Sequence, residues 1–358
     1  MKARAILAAV LSCLLAAACA PFSNEHVRVE VNEQVTLAGT LSIPDGDGPF
    51  PAVILISGSG WQTRDSDLWG FKVYKKTAEH LSSHGIAVLR CDDRGVGRST
   101  GNPSGNANNT LDFADDALAQ VAFLKTRPEV APGRIGLLGQ SEGAIVASMV
   151  DARSDDIEFT ILVAAPAVPL TEVLSFQLEA SLRLKGLDEE TVATRVGLWR
   201  QAYDAIAEDE PTGTIRQQLK ESILGDFEEM SPEQREERGD PERYAEKVLN
   251  KDFKMLASKW GRFLLAYDPR SDHEKMDSRV LALYGTKDSQ VLADLNAPAL
   301  EETFGTMEGT DYEIRVLEDA NHLFQKAETG AVSEYPELPR EFVPGYLETI
   351  TEWVKKSE

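Results

Sequence analysis

The stretch RIGLLGQSEGAIVASM, Arg134 to Met149, decides how the rest of the chain is read. Its first half is a short apolar run, as a strand buried on both faces requires. Its second half is small and apolar at helical spacing. The changeover falls on Gly139-Gln140-Ser141-Glu142-Gly143. A G-x-S-x-G between a buried strand and a helix makes a turn so tight that its serine takes a strained backbone conformation. Residues two positions to either side must then lack bulk, which accounts for Gly139 and Gly143. Such a turn aims the Ser141 hydroxyl out of the carboxyl end of a sheet. It also sets the Glu142 backbone N–H at a helix N-terminus, where it can bind a developing oxyanion.

The surrounding chain supplies the sheet that this turn needs. Residues 25–43 alternate apolar and polar and read as antiparallel strands. From 50 to 165 a strand-then-helix rhythm follows. The strands are PAVILIS, GIAVLRCDD, RIGLLG and FTILVAAP, and the helices between them are FKVYKKTAEHLSSH and LDFADDALAQVAFLKTR. That alternation predicts an α/β fold with a mostly parallel, doubly wound sheet. Residues 167–265 break the rhythm with charged helical segments such as LTEVLSFQLEASLRLKG. This stretch reads as a helical cap over the site rather than an independent domain. Strands return at RVLALYG and YEIRVLED, and GYLETITEWVKK closes the chain as an amphipathic helix with Leu347, Ile350 and Val354 on one face. The organisation expected is a core from 25 to 166, a cap from 167 to 265, and the rest of the core from 266 to 358.

A serine hydroxyl attacks only when a base removes its proton. On a fold of this kind the partners follow in the order serine, acid, histidine. Two histidines follow Ser141. His322, in LEDANHLF between the last strand and the closing helix, stands where the base belongs; His273, in PRSDHEKMD, reads as solvated. Asp288, in YGTKDSQV just past a strand, is the candidate acid that orients the imidazole. Asp268 is the fallback. His26, His80 and His84 precede the turn. His80 and His84 are four apart with no third ligand nearby, so they read as a helix surface and no metal is expected.

The loop after PAVILIS, SGSGW, offers the second oxyanion donor: the N–H of Ser59, with Gly60 as the alternate. Another glycine-rich loop, CDDRGVGRSTG, looks superficially like a dinucleotide fingerprint. Its Gly95, Gly97 and Gly101 have the wrong final spacing, and it comes one unit late. It reads as a structural turn near the site. Arg94 or Arg64 is the candidate partner of Glu142.

Composition bounds the partners. The chain has 358 residues, 42% hydrophobic, and a net charge of -22. That charge argues against nucleic acid, whose phosphates require a basic face. At the N-terminus, Lys2 and Arg4 precede the apolar AILAAVLSCLLAAA, a targeting segment rather than a membrane span. Cleavage after ACA is one reading. The other, favoured here, is a bacterial lipoprotein signal over residues 1–19, with Cys19 lipidated as a membrane anchor. Both place the mature chain outside the cytoplasm. Cys13 and Cys19 then belong to the signal, which leaves Cys91 alone, without a disulfide framework and core-lining rather than nucleophilic.

Taken together, ISGSG with RD shortly after, GIAVLRCDDRGVGRSTG, GQSEGA, VLALYGTKDSQV and NHLFQKAETG followed by EY resemble the α/β-hydrolase superfamily. Within it they are similar to a bacterial serine esterase branch, the esterase D-like carboxylesterases, related to serine aminopeptidase-type hydrolases. The resemblance runs from about residue 50 to the C-terminus. It implies Ser141 as nucleophile, Asp288 as acid, His322 as base, and an oxyanion role for the SGSG loop. Three positions depart from the family pattern: Trp61 where proline is common, Gln140 where histidine is common, and Ala144 in place of a second glycine. Trp61 is therefore a candidate lining of the acyl pocket. The expected activity is hydrolysis of small-molecule carboxylic esters of short to medium acyl chain, with no cofactor. A thioesterase or aminopeptidase-like peptidase using the same triad is the alternative. A non-catalytic envelope binding protein on an inherited fold is the alternative from another class.

Overall fold

A computed structural model describes residues 21–356. The leader, with Cys13 and Cys19, lies outside the described residues. The first half of the chain comprises β1 (Phe22–Glu30), β2 (Thr36–Pro44), β3 (Phe50–Ile56), the short pair β4 (Asp67–Leu68) and β5 (Phe71–Lys72), α1 (Val73–Ser83), β6 (Ala87–Cys91), α2 (Thr110–Lys125), β7 (Val130–Gln140), α3 (Glu142–Asp151) and β8 (Phe159–Val163). Eight strands form one sheet in the order β1-β2-β6-β3-β7-β8, followed by β9 (Arg279–Gly285) and β10 (Tyr312–Leu317). β2 pairs antiparallel with β1 and β6, and every later pairing is parallel. The central strands are buried throughout because helices cover both faces: all of FTILV in β8 and all of RVLALYG in β9 are buried.

This topology fixes where chemistry can happen. β3 lies beside β7, with Ile56 opposite Gly139. The loop after β3 and the turn after β7 therefore leave the sheet side by side at its carboxyl end, where open α/β sheets bind ligands.

Between β8 and β9 the chain is helical: α4 (Leu170–Leu184), α5 (Glu189–Ala207), α6 (Gly213–Glu229), α7 (Pro232–Arg238), α8 (Pro241–Leu256), α9 (Lys259–Leu265) and the short α10 (Arg270–His273). Tyr203, Ile206, Leu219, Leu249 and Phe253 form an apolar cluster within this insert. Leu170, Val173 and Leu264 join the main core instead. The insert thus stands on the sheet through its two ends and holds its middle together with its own side chains. α11 (Ala293–Gly305) and α12 (Tyr346–Lys355) complete the fold. On α12, Ile350 and Val354 are fully buried and Trp353 packs beside them.

His273 corrects the sequence expectation. It is not solvated: it is 1% exposed, its ring lies 6.0 Å from that of Phe304, and its Nδ1 has no partner among the described residues. Burial pushes its imidazole down to about 4. The polar residues around it face water, but α10 packs against α3 and α11 and turns this one inward. His80 and His84 stack on α1 at 4.2 Å, and His80 Nε2 lies 3.1 Å from Thr351 Oγ1 on α12.

Candidate active site

Ser141 sits at the end of β7 with φ 56° and ψ -120°, in the positive-φ region that costs a non-glycine residue energy. The surrounding contacts show what holds it there. A Cβ on Gly139 would lie 2.0 Å from the Gly143 carbonyl oxygen, and one on Gly143 would lie 2.1 Å from that of Ile56. Only glycine lets the turn close and α3 press against β3. The next residue, Glu142, opens α3, so its N–H has no acceptor within the helix.

The other two predicted residues come together from separate loops. Asp288 follows β9 and is 5% exposed; His322 follows β10 and is 7% exposed. His322 Nδ1 lies 2.8 Å from Asp288 Oδ2, while Asp288 Oδ1 accepts the N–H groups of Gln290 at 2.8 Å and Val291 at 3.0 Å. Both carboxylate oxygens are thus committed, which fixes the plane of the acid and the tautomer of the imidazole. Its Nε2 is left to act as a base. Gln140 Nε2 donates to the His322 carbonyl at 2.6 Å, tying the histidine loop to the serine turn. In the sequence Gln140 stands out only as a departure from the family; its bond to a residue 182 positions away has no local signal.

Two cavities meet at Ser141, and both are lined by Ser59, Ser141 and Gln290. One, of about 230 Å³, runs under the insert between Ile145, Leu174, Leu256, Trp260 and Leu265. The other, of about 190 Å³, holds His322 with Gln62, Trp69 and Tyr335. Trp69 and Tyr335 meet edge to face at 5.3 Å. The arrangement is an apolar chamber and an aromatic chamber on either side of one hydroxyl. Trp61 lines neither: it is 72% exposed. The aromatic walls come instead from Trp69, on the β4–β5 turn, and Trp260, on α9. Proximity to the SGSG loop in sequence did not tell which way the side chain points.

The loop after β3 touches the serine turn. A Cβ on Gly58 would lie 3.3 Å from that of Ser141, and Gly60 has φ +102°. Ser59 and Gly60 are exposed at the rim, and Ser59 and Glu142 line the same cavity as Ser141. The arrangement can receive an oxyanion from two sides.

Glu142 has different partners from those expected. Its carboxyl accepts from Trp260 Nε1 and from Thr110 Oγ1, each at 2.8 Å. Burial raises its pKa, and the bonds from Trp260, Ser59 and Thr110 oppose that rise. Neither arginine reaches it. Arg64 forks onto Asp92 at 2.9 and 2.6 Å, and Arg94 forks onto Asp116 at 2.8 and 2.9 Å. Planar guanidinium groups take the carboxylates that present both oxygens. Glu142 is left to neutral donors. In the CDDRGVGRSTG loop, Asp92 also accepts the N–H groups of Arg64 and Arg98, and a Cβ on Gly97 would collide with it at 2.5 Å. The loop is a structural turn, as expected. Cys91 borders it, and burial pushes its thiol far up, away from thiolate chemistry. Asp268 pairs with Arg270 at 2.9 Å.

Residues 69–326 match the family model described as serine aminopeptidase, S33. Among curated proteins, the chain is 37% identical over 174 residues to esterase EstD of Thermotoga maritima, covering 48% of this chain and 40% of the relative. It is 30% identical over 149 residues to a thiohydrolase of Arthrinium phaeospermum, covering 41% of this chain and 44% of the relative. The chain spans less than half the length of the curated relatives it matches. Among solved structures, an esterase of Pyrococcus furiosus superposes with a TM-score of 0.54 at 15% identity, over 93% of this chain and 91% of the other. That likeness concerns the fold. With its mostly parallel sheet, strained serine turn and matched residues, the chain belongs to the serine aminopeptidase S33 family of α/β hydrolases.

Proposed function

We propose that the chain is a serine esterase that hydrolyses carboxylic esters of short to medium acyl chain through Ser141, Asp288 and His322. The observation that carries this reading is the 2.8 Å pairing of Asp288 with His322 in a cavity that also holds Ser141 on its strained turn. The curated relative named as an esterase supports the same class. Ser141 Oγ attacks the ester carbonyl while His322 Nε2 takes its proton. The oxyanion receives the N–H groups of Glu142 and Ser59, with Gly60 as the alternate second donor. The tetrahedral intermediate collapses by breaking the bond to the alcohol oxygen, which leaves with the proton from His322. Water then attacks the acyl-enzyme by the same route and releases the acid and free Ser141. Asp288 stabilises the imidazolium formed in each half.

The test is hydrolysis of p-nitrophenyl esters from acetate to palmitate, beside an acyl thioester and an aminoacyl anilide. Activity on short and medium esters that falls at least about 10⁴-fold in Ser141→Ala is expected. Comparable ester turnover in that variant would overturn the reading. The thioester arm has its own warrant, because one relative is named a thiohydrolase. A fluorophosphonate label on the wild type, absent from Ser141→Ala, separates an enzyme with an untried substrate from a binding protein. The leader and Cys19 support a site of action outside the cytoplasm on a lipid anchor. Membrane release of Cys19→Ala would be the matching observation.

A further inference from the structure

The SGSG loop has little packed beneath it. Ser57, Gly58 and Gly60 line a small cavity of about 40 Å³ together with Asp93, Asp116, Gln120 and Glu142. Room for a few water-sized spheres lies where a packed core would otherwise prop the loop. What spans the gap is Asp93. Its Oδ1 accepts the Ser57 hydroxyl at 2.6 Å and its Oδ2 accepts the Gln62 N–H at 2.7 Å. Its own N–H donates to the Gln62 carbonyl at 3.1 Å. Gln62 Nε2 in turn donates to the Gly58 carbonyl at 3.3 Å. The two ends of the loop thus meet at one carboxylate, while between them the Ser59 side chain reaches the Glu142 carboxyl.

We propose that Asp93 is the positioning residue of the oxyanion loop, holding the Ser59 and Gly60 amides in place through its two oxygens. This rests on the esterase reading, since it assigns those amides to the oxyanion. Only the ionised carboxylate accepts on both sides without carrying a proton of its own. Asparagine, close to the same size, has only one acceptor oxygen: its N–H₂ would either oppose the Gln62 N–H or make the Ser57 hydroxyl turn and accept, and either change breaks the present clamp. Burial pushes the Asp93 carboxyl up to about 7, against the bonds from Ser57 and Gln62 that lower it; Asp116 and Glu142 add to the rise. Around it stand Asp116 on α2, Glu142 on α3, Tyr74 on α1, and Cys91 and Asp92 on its own segment. Arg94 and Arg64 are committed to Asp116 and Asp92.

The experiment compares wild type, Asp93→Asn and Ser57→Ala on one p-nitrophenyl ester and on fluorophosphonate labelling, with circular dichroism confirming the fold. Asp93→Asn is expected to lower kcat by about 10²-fold with KM nearly unchanged, the cost of misplacing an oxyanion donor. Ser57→Ala, which loses one bond of the clamp, should fall in the same direction by less. The acid limb of log kcat/KM should be steeper in wild type, where protonation of Asp93 adds to the loss, than in Asp93→Asn, which has no such group to titrate. Labelling of Ser141 should slow in parallel with kcat. Equal slopes with kcat within twofold of wild type would overturn the proposal while leaving the esterase reading intact. If wild type cleaves no ester but is labelled, the esterase reading falls, and the labelling rates still decide the role of Asp93. Failure of wild type to label as well overturns both.

Discussion

At the scale of the residue, the site depends on a few atoms that cannot be present. Gly143 is the sharpest case. Its Cβ would stand 2.1 Å from the carbonyl oxygen of Ile56 at the end of β3 and 2.6 Å from that of Ser57 just beyond it, and the paired strand backbone at Ile56 cannot turn aside. Gly143→Ala is expected to destabilise the protein by about 3 kcal/mol or more, at the severe end of overpacking. Chemical denaturation of the variant checks this, and a midpoint like that of wild type would refute the tight turn. The residues of the candidate triad were legible because each follows a strand that an apolar run marks. Asp93 was not. Adjacent acids in CDDRG look alike in a sequence, and only the structure shows Asp92 gripping Arg64 while Asp93 grips the loop. Glu142 was misread for a related reason: charge suggested an arginine, but a carboxylate buried at a helix start found Trp260 and Thr110.

At the scale of the element, α9 is where the insert grips the core. Trp260 donates its indole N–H to Glu142 and its backbone N–H to the Gly105 carbonyl at 2.9 Å. Lys259 Nζ reaches Asp112 at 2.9 Å. The same indole is a wall of the apolar chamber. Trp260→Ala should therefore do two things together: widen that chamber and leave the buried Glu142 carboxyl short of a donor. The expected outcome is a shift of the preferred acyl length upward and a stability loss of about 3 kcal/mol. A p-nitrophenyl ester series with matched thermal melts measures both, and an unchanged chain-length optimum would show that the chamber does not seat the acyl group. Strand periodicity made the sheet readable, and helical spacing marked the insert. Which insert side chain would face the serine depends on how separate helices dock, and no periodicity encodes that. Trp61 stands out in the sequence as a departure from the family pattern, whereas the aromatic walls are Trp69 and Trp260.

At the scale of the whole molecule, buried ionisable groups set opposing responses to pH. The unfolded chain takes up a proton at His273 below about 6.5, whereas the folded chain resists until about 4. Its contribution to stability is therefore complete above that upper limit and is lost as pH falls through the window. Asp93, raised to about 7, and Asp116, raised to about 6, act in the other sense, favouring the fold at low pH and losing that contribution as pH rises. Because those acids are common to both proteins, comparing wild type with His273→Leu isolates the histidine. Between pH 7 and pH 5 the variant should gain on wild type by about 2 kcal/mol. Melting curves at the two values read this directly, and a constant difference would mean that the histidine is not buried in the neutral form.

Two chambers on either side of Ser141 also separate the fates of the two halves of a substrate. If the acyl group rests beneath the insert, the alcohol departs through the space between Trp69 and Tyr335 while the acyl group stays bound. The vacated space is then open to whatever small hydroxyl compound is at hand. Water is one such acceptor, with Gln62, Gln140 and Gln290 on the lining to meet it, while Trp69 and Tyr335 offer an apolar surface to the carbon side of a small alcohol. On the proposed esterase reading, the same geometry also serves to exchange one ester for another, with the acceptor's concentration and its fit against Trp69 deciding the partition.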